Sequence, residues 1–489
     1  MTPRFNLVAH LEHLAGRNGW LDRPAYFDGD EAYTFADVYA GAGRAAAAFA
    51  ARGVVAGDRV LLPLPDGIDA VWAFLGAARI GAVATPVNST MHRDEVARAA
   101  GIAEPRAVVA EPDLADVFPD GVITPGELRV DAVPPPYAEV DTETPAYAVF
   151  TSGTTGDPKL CFHTHGDPGV YEQAIGSVVG ITPDDVTLSV SRMYFSYGLG
   201  NSLLFPLHRG GATVLSRARA TEDDVLRLIA RHGVTVFYGQ PSFYARLLGH
   251  PDHGVLAGLR LALVAGEVLP DVLATRIRAV LGDRLLNIFG TTEIGHALIA
   301  NTTGHNRAGT IGRILPPYRM RVVDERGHEV PSGVEGALEV AGPTISPGVR
   351  RGGDPPARAA GSWYATGDAA TVDGDGYVRL HGRLDDIEIV GGQNVHPTEI
   401  EDLLMRHPDV QEAGVCSARR STGVTTLRAF VALKNGHASA ERVRAELLAT
   451  ARETLTWYKV PEDIVFVERL PRTPTGKLRR REVRAMAGA

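Results

Sequence analysis

The sequence predicts an α/β protein in two parts: a large N-terminal domain of several subdomains with mostly parallel sheets, residues 1–384, and a small α+β domain, residues 385–489. Three observations lead there. Short apolar runs ending in Gly or Pro alternate with Ala- and Leu-rich stretches of helical period, the rhythm of strand, crossover helix and parallel strand. The chain has 489 residues, beyond the size at which a single core keeps growing. Near Asp385 the alternation gives way to charged, Gly-rich sequence and then a shorter mixed unit of ordinary domain size.

Taken in order, Gly57–Asn88 reads as strand, helix, strand. The apolar run Ala146–Phe150 then meets TSGTTGDPK at 151–159, a turn dense in small donors. Gly153 and Gly156 let the backbone approach a ligand, and the hydroxyls of Thr151, Ser152, Thr154 and Thr155, with Lys159, suit the β- and γ-phosphates of a nucleotide. A P-loop needs Gly-Lys-Ser/Thr opening a helix, whereas here Asp157-Pro158 separates Gly156 from Lys159 and KLCFHT has strand character. The loop therefore joins two strands and works without a helix dipole, and a plain polar turn is the competing reading. Thr221–Pro241 and Leu269–Gly290 each repeat the helix-then-strand rhythm. Asp373-Gly-Asp-Gly376 marks a hairpin-like turn before a short strand, and the charged sequence after it shows no clear helix. Pro397–Val410 carries apolar residues at helical spacing, and Thr425–Asn435 reads as a strand.

Composition is that of a globular chain, 45% hydrophobic and 22% charged, with 54 Gly and 32 Pro fitting a loop-rich fold. A net charge of −9 excludes a general nucleic-acid or anionic-membrane binder. From Asp386 onward 16 basic residues face 14 acidic ones, with the densest basic run at Gly476–Arg484. Cys161 and Cys416 lie far apart in apolar surroundings, which speaks against a disulfide framework or a thiolate metal site. With no basic start ahead of an apolar segment and no membrane-length apolar run, a cytoplasmic location is expected.

TSGTTGDPK, FGTTE (Phe289–Glu293), WYATGD (Trp363–Asp368), GRLDDIEIVGGQNVHPTEIE (Gly382–Glu401) and PRTPTGK (Pro471–Lys477) stand in one order along the chain. In these five motifs the sequence resembles the adenylate-forming superfamily of acyl- and aryl-CoA ligases, luciferases and peptide-synthetase adenylation domains. The resemblance implies attack of a carboxylate on the α-phosphorus of ATP and then thiol attack on the acyl-adenylate. It implies that Glu293 holds Mg²⁺ against the phosphates, that Thr292 donates to the α-phosphate, and that Lys477 bridges the substrate carboxylate and the α-phosphate. Phe289, with Gly290 and Thr291, would form one side of the adenine site and the Ala265-Gly266-Glu267 backbone the other. Asp368 would accept both ribose hydroxyls, a role suited to a group that is purely an acceptor, with Arg383 assisting. A small C-terminal domain that reorients about Asp385, and a thiol tunnel lined by Gly391 and Gly392, are also implied.

Met193–Leu207, Phe237–Ala245 and Gly290–Leu298 most resemble benzoate-CoA ligases. That match implies a flat ring among Ser196, Tyr197, Gly198, Tyr238, Gly266 and His296, with His296 near the carboxylate. Ser196 admits a hydroxylated or amino-substituted ring. No Asp opens FYGQPSFYA to meet an amino group, which weighs against amino acid substrates. The expected reactants are ATP, Mg²⁺, a small aromatic acid, and the thiol of CoA or of a carrier-protein phosphopantetheine. Neither nucleic acid nor membrane is an expected partner, and a homodimer is compatible with the sequence. Two departures stand out: Val349–Ser362 is more basic and Gly/Pro-rich than relatives imply, and Ile389 occupies a position where many relatives carry Lys.

Overall fold

The computed structural model describes residues 4–152, 158–218, 220–346, 361–390, 393–419, 425–434, 440–473 and 477–487. Among them, a five-stranded sheet runs Ala107–Val108, Arg59–Leu62, Val83–Pro86, Pro145–Ser152, Pro158–Thr164, the first four parallel and the last antiparallel. Gly57–Asn88 folds as strand, helix (Ile68–Arg79) and strand. Ala- and Gly-rich faces let that helix pack closely on Phe35–Ala51, with Gly76 set against Ala45. Thr151 pairs with Lys159 across the antiparallel pair, so the intervening loop joins two strands. Gly153, Thr154, Thr155 and Gly156 lie outside the described residues, as does the side chain of Ser152.

The second sheet has nine strands among the described residues, in the order Arg313–Ile314, Ala297–Ala300, Leu285–Gly290, Leu261–Val264, Val236–Gly239, Val186–Ser189, Ala212–Leu215, Pro24–Asp28, Glu31–Thr34. The six from Leu285–Gly290 to Pro24–Asp28 are mutually parallel. Helix Glu222–His232 shows how the crossovers are specified. Thr221 and Asp224 exchange backbone N–H bonds as a capping box, three acidic residues stand in the first turn, and Gly233 closes the end at φ +61°. Because these strands are parallel, their C-terminal ends share one edge, where open α/β sheets bind ligands.

A four-stranded antiparallel meander follows: Arg319–Val323, Gly336–Ala341, Tyr364–Val372, Val378–Arg383. Its last turn is the Asp-Gly-Asp-Gly turn, in which the Asp373 carboxylate accepts the N–H groups of Asp375 and Tyr377. Past it, the stretch without a helical pattern forms a small hairpin, Glu388–Val390 with Gln393–Val395. The remaining residues build a three-stranded sheet, Val410–Arg419, Thr425–Leu433 and Asp463–Phe466, with helices Pro397–Leu404, Ala440–Thr454 and Arg480–Ala487. Val395, Ile400, Val415, Leu427, Val443 and Ile464 form a core of their own there. No helix among the described residues is long and apolar enough to cross a membrane.

Candidate active site

Four neighbouring parallel strands deliver the predicted motifs to one sheet edge. Leu285–Gly290 ends at Phe289 and Gly290 and leads into Thr291-Thr292-Glu293. Leu261–Val264 leads into Ala265-Gly266-Glu267, Val236–Gly239 contains Tyr238, and the strand Val186–Ser189 precedes the segment that reaches Ser196, Tyr197 and Gly198. Residues more than 90 positions apart in sequence thus converge because sheet order, not chain order, sets their neighbours.

Phe289 is half-buried against the main core, and a Cβ on Gly290 would overlap the His296 carbonyl, so that turn accepts only glycine without rearrangement. Burial first, and then the nearby Glu293 carboxylate, raise the Tyr364 pKa. That carboxylate also lies close enough to Cys161 to add to the burial that pushes that thiol up. Lys159 acts on the same thiol in the opposite sense, so the phosphate-loop lysine and Glu293 both lie within electrostatic reach of Cys161 on the strand Pro158–Thr164. Among the described residues no group of three or more His, Cys, Asp and Glu side chains could hold a metal unaided. A lone carboxylate still suits Mg²⁺, which characteristically takes one or two protein oxygens and completes its octahedron with phosphates and water.

On the meander, Asp368 sits opposite Arg383 in the strand register, 3.5 Å from its Nη1. Burial raises the Asp368 pKa to about 6, against the pull of Arg383 and Lys477. Arg383 also donates to the Thr366 carbonyl at 2.7 Å and to Asp385 at 3.3 Å. Asp385 lies in the short turn Leu384–Asp386, and its carbonyl accepts from Arg484 at 3.2 Å. Gly391 and Gly392 lie outside the described residues.

Lys477 arrives from the C-terminal part. Its Cε is 3.9 Å from where a Cβ on Gly266 would stand, and it lies in the field of Glu267 and Asp368. Part of the side chain is open to solvent, yet the protein atoms crowding its amine lower its pKa from the ordinary lysine value, with Glu267 and Asp368 opposing that shift. The Glu267 carboxylate accepts the Ser242 N–H at 3.1 Å and its hydroxyl at 3.0 Å, and faces Arg472 and Lys477. That side chain is therefore engaged by a helix start and by C-terminal cations, which leaves only the Ala265–Glu267 backbone for a nucleotide.

Of the residues expected around the ring, Ser196 is buried, Tyr197 is half-buried, and Tyr238 is wholly enclosed with its ring edge-on to Tyr197. Gly198 packs so tightly on the Arg192 carbonyl that a Cβ would overlap it. His296 is buried edge-on to Phe205, its Nε2 3.3 Å from Asn201 Oδ1, and burial drops its pKa to about 3. At neutral pH it is an uncharged ring, so a carboxylate placed beside it would meet no cation there. Three contributing residues escaped the sequence reading. His163 and Asn201 sit in apolar segments, where polar residues read as isolated exceptions; Tyr364 lies inside WYATGD, beside the Asp that drew attention.

Family models match most of the chain: AMP-binding enzyme over residues 11–349 and the AMP-binding enzyme C-terminal domain over residues 399–477. A p-hydroxybenzoic acid–AMP ligase of Mycobacterium tuberculosis is 40% identical over 485 residues, covering 98% of this chain and 68% of the relative. A benzoate–CoA ligase of Thauera aromatica is 34% identical, covering 96% of this chain and 94% of the relative. Among solved structures, an anthranilate CoA ligase in complex with anthranoyl-AMP superposes with a TM-score of 0.92 at 29% identity, covering 100% of this chain and 98% of that one. The gathering of FGTTE, Ala265–Glu267, Tyr238 and Ser196–Gly198 at one sheet edge and these matches across nearly the whole length lead to the same place: the chain belongs to the AMP-binding enzyme family, the adenylate-forming ligases.

Proposed function

We propose that the protein activates a benzoate-like aromatic acid with ATP as its aroyl-adenylate and transfers the aroyl group to the thiol of CoA. The observation that carries the first step is Lys477, set beside Gly266 and facing both Glu267 and Asp368. The attacking carboxylate and the α-phosphate are both anionic, so the barrier is dominated by positioning and charge neutralisation. A carboxylate oxygen bonds to the α-phosphorus, the bond to the bridging oxygen breaks, and pyrophosphate leaves. Lys477 supplies a mobile point charge where negative charge collects, Thr292 donates to the α-phosphate, and Asp368 with Arg383 holds the ribose. Lys159, with the 151–156 loop, holds the outgoing phosphates. Glu293 would hold Mg²⁺, which when bound supplies further neutralisation of those phosphates. In the second step the thiolate sulfur bonds to the carbonyl carbon and AMP departs. Domain movement about Asp385 between the steps, with Gly391 and Gly392 beside the incoming thiol, completes the reading.

Support for the aromatic substrate comes from the relatives named for p-hydroxybenzoic acid, benzoate and anthranilate. The Tyr238 hydroxyl is wholly buried and has no hydrogen-bond partner among the described residues, which favours a ring carrying a polar substituent. Transfer to a carrier-protein phosphopantetheine is the second reading, since the relative at 40% identity is named as an AMP ligase rather than a CoA ligase. Pyrophosphate exchange across a panel of carboxylates, then aroyl transfer to CoA or to a loaded carrier, tests both. Exchange with benzoate, hydroxybenzoate or aminobenzoate is expected; exchange only with fatty acids or amino acids would remove the aromatic assignment.

A further inference from the structure

Three successive carbonyls of the loop that carries Glu293 are held from outside it. The Thr292 carbonyl accepts from His163 Nε2 at 2.9 Å, the Glu293 carbonyl accepts the Ser346 N–H at 2.6 Å, and the Ile294 carbonyl accepts the Thr344 hydroxyl at 2.7 Å. The Ser346 hydroxyl in turn accepts the Phe162 N–H at 3.1 Å, so two adjacent residues of the strand Pro158–Thr164, Phe162 and His163, tie into this grip.

His163 is the part of the grip with directed chemistry. Its ring is fully buried. A carbonyl only accepts, so Nε2 carries a proton, and Nδ1 meets the Tyr171 hydroxyl at 3.0 Å and Asp167 at 3.4 Å. Asp167 is itself fixed by the N–H and hydroxyl of Thr164, both at 3.0 Å. On the far side Tyr171 presses on Gly295, where φ is +98° and any Cβ would overlap the phenol oxygen. Tyr171 thus orients the imidazole and fits the glycine that ends the same loop.

We infer that His163 is a positioning residue for adenylate formation: by holding the Thr292 carbonyl it fixes the peptide plane from which the Glu293 carboxylate is aimed, and it does so from the strand that carries Lys159. The inference rests on the proposed role of Glu293 in holding Mg²⁺. Lys159 and His163 are four residues apart on one strand, so the phosphate-loop lysine and the metal carboxylate are set by one rigid element. Errors in their spacing would reach the reacting phosphates directly.

The test uses the full chain with His163→Gln, whose amide N–H can still donate to the Thr292 carbonyl, and His163→Met, which fills the space without a donor. Both in calorimetric titration of Mg²⁺ into the protein with a non-hydrolysable ATP analogue and in pyrophosphate exchange, His163→Met should raise the half-saturating Mg²⁺ concentration by roughly 10-fold or more, the usual cost of losing an outer-shell partner, with KM for the aryl acid within about 2-fold of wild type. His163→Gln should restore the wild-type Mg²⁺ dependence. Tyr171→Phe, which keeps the ring and removes only the hydroxyl on Nδ1, should shift Mg²⁺ dependence in the same direction and serves if His163→Met fails to fold. Equal loss by the Gln and Met variants, or unchanged Mg²⁺ dependence in both His163→Met and Tyr171→Phe, overturns the inference. A wild-type chain without Mg²⁺-dependent exchange on any carboxylate overturns the functional reading itself, and the positioning role with it.

Discussion

The ribose role proposed for Asp368 implies a pH limit on nucleotide binding. Burial favours its neutral form and carries its pKa from the usual carboxylate range to about 6, with Arg383 opposing. In that role the ionised form accepts both hydroxyls best, so ATP affinity is expected to be full above about pH 6 and to weaken as the pH falls through that value. KM for ATP measured from pH 5 to 8 should rise at the acid end while KM for the aryl acid stays level. Asp368→Asn should raise KM for ATP by roughly 10-fold or more at pH 8, as expected for loss of a charge-assisted hydrogen bond, and should flatten the acid rise. A pH-independent KM for ATP in the wild type would remove Asp368 from the ribose. His296 gives the contrast: burial moves its pKa down to about 3, so its ring stays neutral across the same range and adds no titration of its own. The two cysteine thiols are buried with raised pKa values and are poor nucleophiles.

At the scale of elements, strands and helices were legible where pattern and punctuation agree. Gly57–Asn88 folds as read because its apolar runs are bounded by Gly and Pro, and the 151–159 loop joins two strands because the sequence after it, KLCFHT, has strand character. What could not be read was which strands become neighbours, and hence that Glu267, separated from Ser242 by a strand and a loop, would cap that residue's helix. His163 was invisible for a related reason: its partners Thr292 and Tyr171 lie 129 and 8 residues away. Helix Pro397–Leu404 carries a further cost that only tertiary contact reveals. Its Asp402 is pushed up to about 7 by burial first, then by the charges of Glu401 and of Asp271 at the start of another helix, with Arg406 opposing. The folded state therefore holds this proton more tightly than the unfolded chain. Its contribution is fully present below the ordinary carboxylate value and is lost as the pH rises from there through about 7. Asp402→Asn should raise the thermal midpoint at pH 8 by roughly 3 °C, taking about 1 kcal/mol as the relief, and raise it by clearly less at pH 5. Equal effects at both pH values would mean the repulsion is absent.

Over the whole molecule, the proposed adenylation chemistry depends on Lys477, a residue delivered from the far end of the chain. The acidic balance of the first 385 residues and the basic excess after them are visible in the sequence; the meeting of Lys477 with Glu267 and Asp368 is visible only in the fold. Lys477 touches the site through this one approach, between Gly266 on one sheet edge and Asp368 on the meander. Its charge is useful while a carboxylate and a phosphate are being forced together, and has no counterpart once the adenylate exists. Lys477→Ala should therefore lower adenylate formation by roughly 100-fold or more, the scale set by removing one preorganised group that stabilises transition-state charge. The same variant supplied with synthetic aroyl-adenylate should still form thioester within about 3-fold of wild type, since thiol attack releases AMP and creates no new contact between anions that a lysine must bridge. Single-turnover measurements of the two half-reactions decide it: equal losses in both would show that Lys477 serves a site common to the two steps, and one fixed arrangement of the chain would then suffice for the whole reaction.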